Sequence, residues 1–491
     1  MSEASRGADQ QTRARRLERL SPLDVSNLSV EDHGLPMHVA ALAILERAPL
    51  VDGSGKLRLD ALQHMLERRL DLTPRLRQVL VRPRFGLGPP FWLDDAGFDI
   101  REHVRTRAVP APGNEATLLE ACAELNEPPL DRSRPLWEMW FLTGLADGSI
   151  ALLIRLHHVV ADGIAALALI GALFDADPST RSMEGPSLAP REAPTARDLF
   201  ADSVGHRAAA MSRAFGRLRR PALVIRHLGS LVLQVRQLLR DGTAPRVSFN
   251  RPVGARRRLL LARADLSRVR AVAHTNGAKV NDVVLAAMAG GARRLLEARG
   301  ELTPGLVLKV SVATSIRGPD DEAGGNRVGI IIVPLRVGEP DPIRRLQAIA
   351  RTTAKRKRQP PYQPSARFSQ RWMVRAMFHQ RLVNLLESNL VGPATPLSLA
   401  GAQVLEVFQV GLVQGNIPIT AAVLSYAGRL NFDIVADADA VPDLDAFAEG
   451  LSDALDQLEV DLQSPISLDP EQPSGEVEGV RLGPDRSGRR S

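Results

Sequence analysis

The chain has 491 residues, a formal net charge of +7, 44% hydrophobic and 4% aromatic residues, and one cysteine. The single cysteine excludes an internal disulfide and a cysteine-based metal cluster, and no apolar stretch reaches the roughly 18 to 20 residues that span a bilayer. Because aromatic residues are few, the basic charge favours an anionic membrane or a polyphosphorylated ligand over nucleic acid as a partner.

The N-terminal part of the sequence alternates predicted strands with predicted helices. Residues 1–18 are polar and charged, which predicts a disordered tail, no secretory signal and a cytoplasmic protein. Residues 21–24 are typical of a turn. Hydrophobic periodicity then predicts strands at 37–45, near 103 and at 138–145, and helices at 57–70 and 116–126. The alternation favours a mixed α/β sandwich domain over residues 19–180.

One stretch combines a buried strand, two histidines and a helix. Residues 150–156 are apolar and β-branched, and an apolar stripe from Gly163 onward is typical of a helix. His157 and His158 therefore lie in the turn between them. Imidazole titrates near neutrality, so a histidine held there can take a proton from an alcohol or a thiol. Asp162 can pin the turn through a buried ion pair, and Gly163 lets a substrate approach the backbone.

The alternative for this turn is a purely structural role. A lone histidine beside a core strand is more often a hydrogen-bonded structural residue than a catalyst. Here four residues are specified within seven positions, in a chain with only ten histidines. That pattern favours a catalytic turn.

Residues 181–250 connect two halves of similar element content. The first part is rich in Pro, Ser, Glu and Arg, as expected of a domain-connecting segment. Between Asp202 and Asp241 the chain has no acidic residue, and arginines alternate with apolar residues. A basic amphipathic helix of this kind can lie on an anionic membrane or lipid-droplet surface, especially over residues 205–240. A crossover helix packed on the two domains, with a solvated basic face, fits the same composition.

The C-terminal half, residues 251–464, again alternates strands and helices. Residues 280–282 are predicted to cap a long helix over 283–296, and residues 421–426 and 429–435 are predicted to form a hairpin that turns at Ala427 and Gly428. Further strands are predicted at 259–262, 306–314 and 330–335, and further helices at 266–274 and 444–462. Residues 465–491 are rich in Pro, Gly and Arg, which predicts a disordered tail.

The residues from His157 to Gly163 resemble the His-His-x-x-x-Asp-Gly motif of the acyl-CoA-dependent acyltransferase superfamily. Further stretches narrow the resemblance to the bacterial wax ester synthase/diacylglycerol acyltransferase family, where similar stretches occur in the same order. These stretches are 21–24, 36–39, 130–138 with Pro135, Leu136 and Trp137, 157–163, 280–284 with Asn281 and Asp282, and 424–432. The resemblance covers residues 20–462.

The resemblance implies both a fold and a reaction. The implied fold is α/β (α+β), with two pseudo-symmetric chloramphenicol-acetyltransferase-like sandwich domains that contain mixed sheets and are joined by a long helical crossover. The implied reaction moves a long-chain acyl group from acyl-CoA to diacylglycerol or a fatty alcohol, giving triacylglycerol or wax ester. Acyl-CoA enters as a substrate, and neither a cofactor nor a metal is expected. A peripheral association with membranes or lipid droplets is also implied.

The resemblance also implies roles for single residues. His158 is the general base and forms no covalent intermediate, whereas His157 orients the turn. Asp162 forms a structural ion pair with Arg317, and Gly163 keeps the substrate channel open. In the second half, Asn281 is the first candidate for an oxyanion donor, with Asp282 beside it; residues that bind CoA are not assigned.

One segment departs from the family pattern. Where the family has Asn-Val-Pro-Gly-Pro, this chain has Leu390 and Val391 within Ser-Asn-Leu-Val-Gly-Pro at 388–393. The segment is expected near the substrate channel, so the resemblance predicts the fold more firmly than it predicts the acceptor or the activity. Two rival functions therefore remain: acyl transfer to another alcohol or to an amine, and a catalytically weak homologue that binds lipid droplets or membranes.

Overall fold

The computed structural model describes residues 17–83, 88–161, 163–175, 195–218, 229, 236, 242–315, 328–359 and 375–463. Two six-stranded sheets, a two-stranded sheet and the helices that cover them make up this part of the chain. The predicted mixed α/β fold is confirmed. The predicted tails, apart from residues 17 and 18, and much of the predicted connection lie outside the described residues.

Strands and helices follow each other along both halves of the chain. The strands are β1 (His38–Leu45), β2 (Gln78–Val81), β3 (Phe91–Asp94), β4 (Val104–Ala108), β5 (Trp137–Thr143), β6 (Ile150–His157), β7 (Arg257–Asp265), β8 (Leu308–Ser315), β9 (Val328–Leu335), β10 (Leu385–Val391), β11 (Ser398–Leu399), β12 (Ala402–Val410), β13 (Ile419–Tyr426) and β14 (Arg429–Asp437). The main helices are α1 (Pro22–Glu31), α2 (Leu59–Arg69), α3 (Glu115–Asn126), α4 (Gly163–Gly171), α5 (Ala196–Leu218), α6 (Leu266–Thr275), α7 (Val280–Ala298), α8 (Pro342–Arg356) and α9 (Leu444–Gln463).

Strand β6 lies inside the first sheet, whose order is β11-β12-β1-β6-β5-β4. All eight of its residues are buried, as its apolar sequence predicts. Both neighbours, β1 and β5, run antiparallel to it, and His157 at its end lies opposite His38 of β1. The turn that follows β6 therefore begins from a strand that is paired on both sides.

The first sheet contains two strands from the C-terminal half of the chain. Strand β12 pairs antiparallel with β1, from Ala40 opposite Val410 to Leu45 opposite Val404, and β11 pairs with β12. The sequence analysis predicted no strand in this region. The halves of the chain are thus joined by a shared sheet as well as by the crossover segment.

The second sheet has the order β7-β14-β13-β10-β8-β9 and contains the predicted hairpin. Strands β13 and β14 pair antiparallel up to Tyr426 opposite Arg429. The two turn residues, Ala427 and Gly428, have φ values of 46° and 82°, as a two-residue hairpin turn requires. Strand β10 runs parallel to both of its neighbours, β8 and β13.

Helix α7 packs against α9 at very short range. A Cβ atom placed on Gly290 would lie 2.4 Å from the Cβ of Ala454, and one placed on Gly291 would lie 2.6 Å from the carbonyl oxygen of Phe447. Only glycine permits this approach. The packing fixes α7 on the second sheet and so fixes the position of its N-terminal turn.

Two local predictions were wrong, both at the start of a helix. Residues 21–24 form the N-terminus of α1 and not a separate turn, because Ser21 and Asp24 make a capping box. Residues 280–282 are the first turn of α7 and not its cap, which is Lys279. In both places the acidic residue accepts a hydrogen bond from the backbone of the N-cap residue, and helix formation extends up to it.

Candidate active site

The two histidines lie where β6 ends and the chain turns towards α4. The backbone N–H of His157 donates to the carbonyl oxygen of Leu136 at 3.0 Å, and that of His158 donates to Met37 at 2.8 Å. The turn is therefore fixed by hydrogen bonds from the strands on both sides. Asp162 lies outside the described residues, whereas Gly163 begins α4.

His157 is fully buried, with a hydrogen bond at one ring nitrogen and a carboxylate facing the other. Its Nδ1 accepts a hydrogen bond from the backbone N–H of Val159 at 3.1 Å. Because a backbone N–H can only donate, the neutral ring carries its proton on Nε2. That nitrogen lies 3.3 Å from Oε2 of Glu31, the last residue of α1. Both contacts orient the ring within the core.

The carboxyl group of Glu31 is charged although the residue is buried. Burial by itself would raise the pKa of its carboxyl, but hydrogen bonds and charges from His157 and Arg132 lower that pKa to about 2. Arg132 donates from Nε to the Glu31 carboxylate at 2.7 Å and from a second nitrogen to Asp32 at 2.6 Å. Glu31 was not predicted as a site residue from the sequence, and Arg132 was included only as part of the stretch 130–138.

His158, the next residue, is partly buried. It directly follows the last residue of β6 and lies in the turn. The two rings differ in exposure. One is enclosed and fixed by protein contacts, and the other retains some exposure through which a reacting group can approach.

The residues at the start of the neighbouring strand β5 support the turn; they are Pro135, Leu136 and Trp137. The carbonyl oxygen of Leu136 accepts the His157 N–H, and the Trp137 indole donates to the carbonyl oxygen of Leu76 at 2.7 Å. His103 stacks on Trp137 with ring centroids 4.6 Å apart. Burial lowers the pKa of His103, and a hydrogen bond to the Trp137 carbonyl oxygen offsets only part of this shift. These residues support the site through packing.

His38 adds a second buried imidazole next to the turn. Its Nε2 lies 2.6 Å from the carbonyl oxygen of Asn126, so this nitrogen carries the proton of the neutral ring. Burial, together with the charge of Arg155, lowers the pKa of His38 to about 3. His38 is therefore neutral near pH 7, and the sequence analysis quoted it only within the stretch 36–39.

The predicted residues of the second half lie at the start of α7. Asn281 accepts a hydrogen bond on Oδ1 from the Asn389 side chain at 2.7 Å. Asp282 is buried and accepts from the Lys279 backbone N–H at 2.8 Å and from the Thr353 hydroxyl at 2.6 Å. Asp282 therefore holds α7 to α8, whereas the amide nitrogen of Asn281 can still donate.

The segment that departs from the family pattern lies on β10 and joins different parts of the fold. Asn389 bonds to α7, whereas the hydroxyl of the adjacent Ser388 accepts from the Gln409 side chain of β12 at 3.0 Å. Ser388 therefore links the second sheet to the first. A change within residues 388–393 can thus alter how the sheets meet.

Other predicted features are only partly covered by the described residues. Arg317 lies outside them, so the Asp162–Arg317 ion pair stays a prediction. Cys122 is fully buried, and burial together with the nearby Asp433 raises the pKa of its thiol, as is typical of a cysteine that packs in the core. Within the described ranges, no three His, Cys, Asp or Glu residues are grouped so that they could hold a metal ion.

The fold and the histidine turn together define a two-half acyltransferase of the acyl-CoA-dependent type. Residues 20–284 match the wax ester synthase/diacylglycerol acyltransferase catalytic domain, and residues 324–459 match the C-terminal domain of the same family. The chain belongs to the wax ester synthase/diacylglycerol acyltransferase family.

Curated and solved relatives cover almost the whole chain. A probable diacylglycerol O-acyltransferase of Mycobacterium tuberculosis is 32% identical, over 90% of this chain and 96% of the relative. A putative one from the same species is 31% identical, over 90% of both chains. The solved wax ester synthase/diacylglycerol acyltransferase of Marinobacter aquaeolei VT8 has a TM-score of 0.66 at 23% identity, over 91% of this chain and 100% of that one.

A more distant structure shares the fold. The starter condensation domain of rhizomide synthetase, solved in complex with C8-CoA, has a TM-score of 0.56 at 14% identity, over 92% of this chain and 96% of that one. In the part of the chain that the structure describes, no helix combines the length and apolar character needed to cross a membrane.

Proposed function

We propose that the protein transfers a long-chain acyl group from acyl-CoA to the hydroxyl of diacylglycerol or of a fatty alcohol, and that His158 is the general base. Membership of the family makes the chain an acyl-CoA-dependent O-acyltransferase. The observation that carries the proposal is the contrast between the two rings. His157 is enclosed and bonded at Nδ1, whereas the adjacent His158 is only partly buried.

The reaction needs one proton acceptor that later returns its proton. His158 takes the proton from the acceptor hydroxyl while that oxygen forms a bond to the thioester carbonyl carbon. The carbon–sulfur bond of the resulting tetrahedral intermediate then breaks. The departing CoA thiolate takes the proton from His158, which returns the ring to its starting state. The products are an ester and free CoA, and no acyl group is attached to the protein.

The tetrahedral intermediate carries a negative oxygen that needs a donor. Asn281 is our candidate, because Asn389 occupies its Oδ1 and leaves the amide N–H groups to donate. The expected pair of Asp162 with Arg317 would then hold the turn in place, and Gly163 would leave room beside the base. The roles of Asp162, Arg317 and Gly163 rest on the resemblance of the sequence to the family.

The acceptor is identified by the product formed. Wild-type protein is given palmitoyl-CoA with either hexadecanol or a diacylglycerol, and thiol release is followed while mass spectrometry identifies the ester. We expect wax ester, triacylglycerol or both. Ester from neither acceptor would contradict the proposed acceptors. Transfer to a different alcohol or to an amine would then be tested with the same assay.

Helix α5 has an apolar stripe that suits a lipid surface. Its large apolar residues Phe200, Val204, Met211 and Phe215 are 59%, 48%, 61% and 60% exposed. At 100° per residue they fall within about 60° of one another, along roughly 22 Å of helix. Asp202, which bonds to Arg19 at 2.6 Å, lies on the opposite side and ties the helix to the body of the protein.

The charge beside this stripe favours an anionic lipid surface. Arg197 and Arg207 are both exposed and lie at the edges of the stripe on the helix. An amphipathic helix with arginines beside its apolar face gains affinity from burial of that face and from anionic headgroups. We therefore propose that α5 holds the enzyme peripherally on a membrane or lipid droplet. The rest of residues 205–240, apart from 229 and 236, lies outside the described part.

The lipid proposal is tested by removing the aromatic side chains. The double variant Phe200→Ser with Phe215→Ser should bind vesicles containing roughly one-third phosphatidylglycerol at least about tenfold more weakly than wild type, because it loses two exposed phenyl groups that the proposal places in the acyl layer. Co-sedimentation measures the binding. The control is Val460→Ser, which removes a side chain of similar exposure, 61%, from α9. Equal binding by the double variant and the control would contradict the proposal.

A further inference from the structure

A buried acid lies in the middle of the second sheet. Glu387 is on β10, paired with Val312 of β8 on one side and Ala421 of β13 on the other. Its side chain is 2% exposed, and neither carboxyl oxygen has a hydrogen-bond partner among the described residues. A buried carboxylate without partners is strongly disfavoured. Such a residue is kept at a cost in stability, which points to a role beyond packing.

The polar groups around Glu387 belong to the start of α7 and the end of α8. Burial raises the pKa of the Glu387 carboxyl to about 8. The Lys357 charge at the end of α8 and the Asn281 side chain of α7 act in the opposite direction but do not cancel the effect of burial. Asp282, the other acidic residue here, is already bonded to Thr353. Glu387 is therefore mostly uncharged near pH 7.

The state of Glu387 affects the orientation of Asn281. Asn389, two residues after Glu387 on the same face of β10, fixes Oδ1 of Asn281 at 2.7 Å. The direction of the two amide N–H groups then depends on which acceptor they meet. A neutral carboxyl attracts them weakly, whereas a carboxylate forms a charge-assisted hydrogen bond that is roughly twice as strong.

We propose that Glu387 is a positioning residue for acyl transfer, which in its neutral form leaves an amide N–H of Asn281 free to donate to the oxyanion. Loss of the Glu387 proton turns that amide towards the carboxylate and withdraws the donor. This inference rests on the proposed function, because it assumes that Asn281 serves the transfer step. It adds a second titrating group, remote from the histidine turn, that limits the reaction at high pH.

The test is the pH profile of ester formation by wild type and Glu387→Gln. Above about pH 8, wild-type kcat should fall about tenfold per pH unit, whereas the Gln variant should keep its neutral-pH rate within about threefold up to roughly pH 9.5. The acidic limb of the profile, which belongs to the histidine, should be unchanged. A Gln variant with the same alkaline fall as wild type would overturn the proposal.

Two further variants separate positioning from a general structural effect. Lys357→Met should move the alkaline limb of the wild-type profile to higher pH, because Lys357 lowers the pKa of Glu387. Asn281→Ala should lower kcat at neutral pH and should lack the alkaline fall, because it has no donor to withdraw, and adding Glu387→Gln to it should change neither rate nor profile. Independent, additive effects of the two changes would also overturn the proposal.

Failure of the proposed function gives a different result. If wild type forms no ester at any pH, the acyl-transfer role fails and the positioning role fails with it. Thermal unfolding then still reports the state of the acid. A carboxyl with a raised pKa in the folded protein loses stability as pH rises from about 4.5 to 8, so the Tm advantage of Glu387→Gln should grow over that window and then level off.

Discussion

Glu31 determines how the first histidine of the turn is held. Its carboxylate faces Nε2 of His157 at 3.3 Å, and Arg132 neutralises it from the other side. Such a buried group of charges is costly to disrupt, because removing one partner leaves the others desolvated and unpaired. These contacts fix the ring of His157, which is why we propose the adjacent His158 as the group that transfers the proton.

Glu31→Gln should destabilise the protein in a pH-dependent way. The pKa of Glu31 is about 2 in the folded protein and near 4.5 when unfolded, so its stabilisation is present above about pH 4.5 and is lost as pH falls towards 2. Urea unfolding should show the variant less stable at neutral pH by about 3 kcal/mol. The gap should narrow by roughly 1 kcal/mol at about pH 4, and a constant gap would contradict this account.

At the residue scale, the sequence identifies the local part of the site. His157, His158 and Gly163 follow one another in a short motif, so their placement at the end of a strand could be predicted. Glu31 reaches the same site only through the fold. A single glutamate at the end of an amphipathic helix has no local pattern that distinguishes it from a solvated one.

At the element scale, the start of α7 joins three parts of the second half. Asp282 accepts from the Lys279 backbone and from Thr353 of α8, and Asn281 contacts Asn389 of β10. The first turn of α7 is therefore fixed to a neighbouring helix and to the sheet. A candidate donor placed there is held rigidly, as stabilisation of an oxyanion requires.

Removing the Asp282 carboxylate should loosen this junction. Asp282→Ala loses the bond to the N-cap backbone and the bond from the Thr353 hydroxyl, which keeps only the Ala350 carbonyl oxygen as an acceptor, so it should cost about 2 kcal/mol of unfolding free energy. Thr353→Val is the matched control and should cost only about 1 kcal/mol. Urea unfolding measures both. An equal cost for the two variants would show that the capping bond contributes nothing.

Hydrophobic periodicity predicted most elements but not their exact starts. The hairpin of β13 and β14 was predicted because Ala427 and Gly428 separate two apolar strands. Helix α1 was not predicted at all and the start of α7 was placed too late, because an acidic residue at the third helical position is also typical of a turn. The competing signals are local and similar, and only the observed capping bonds decide between them.

At the scale of the whole molecule, the first sheet is completed by the C-terminal half. Strand β12 pairs with β1, and Gln409 of β12 bonds to Ser388 of β10. Sequence alternation can predict a strand, but it does not say which sheet the strand joins. The two similar halves could be predicted from the order of elements. The pairing of β12, from the second half, with β1 of the first half could not.

The most direct test compares the two histidines of the turn. His158→Ala and His157→Ala are assayed for ester formation from palmitoyl-CoA and for thermal unfolding. His158→Ala should lose roughly 100-fold or more in rate and keep its Tm within about 2 °C, because the ring is partly exposed. His157→Ala should lower stability by about 2 to 4 kcal/mol, since it leaves the Val159 N–H unpaired and removes one of the two side chains that face the buried Glu31 carboxylate. Near-normal turnover by His158→Ala would contradict the account, as would a 100-fold loss in His157→Ala with unchanged stability.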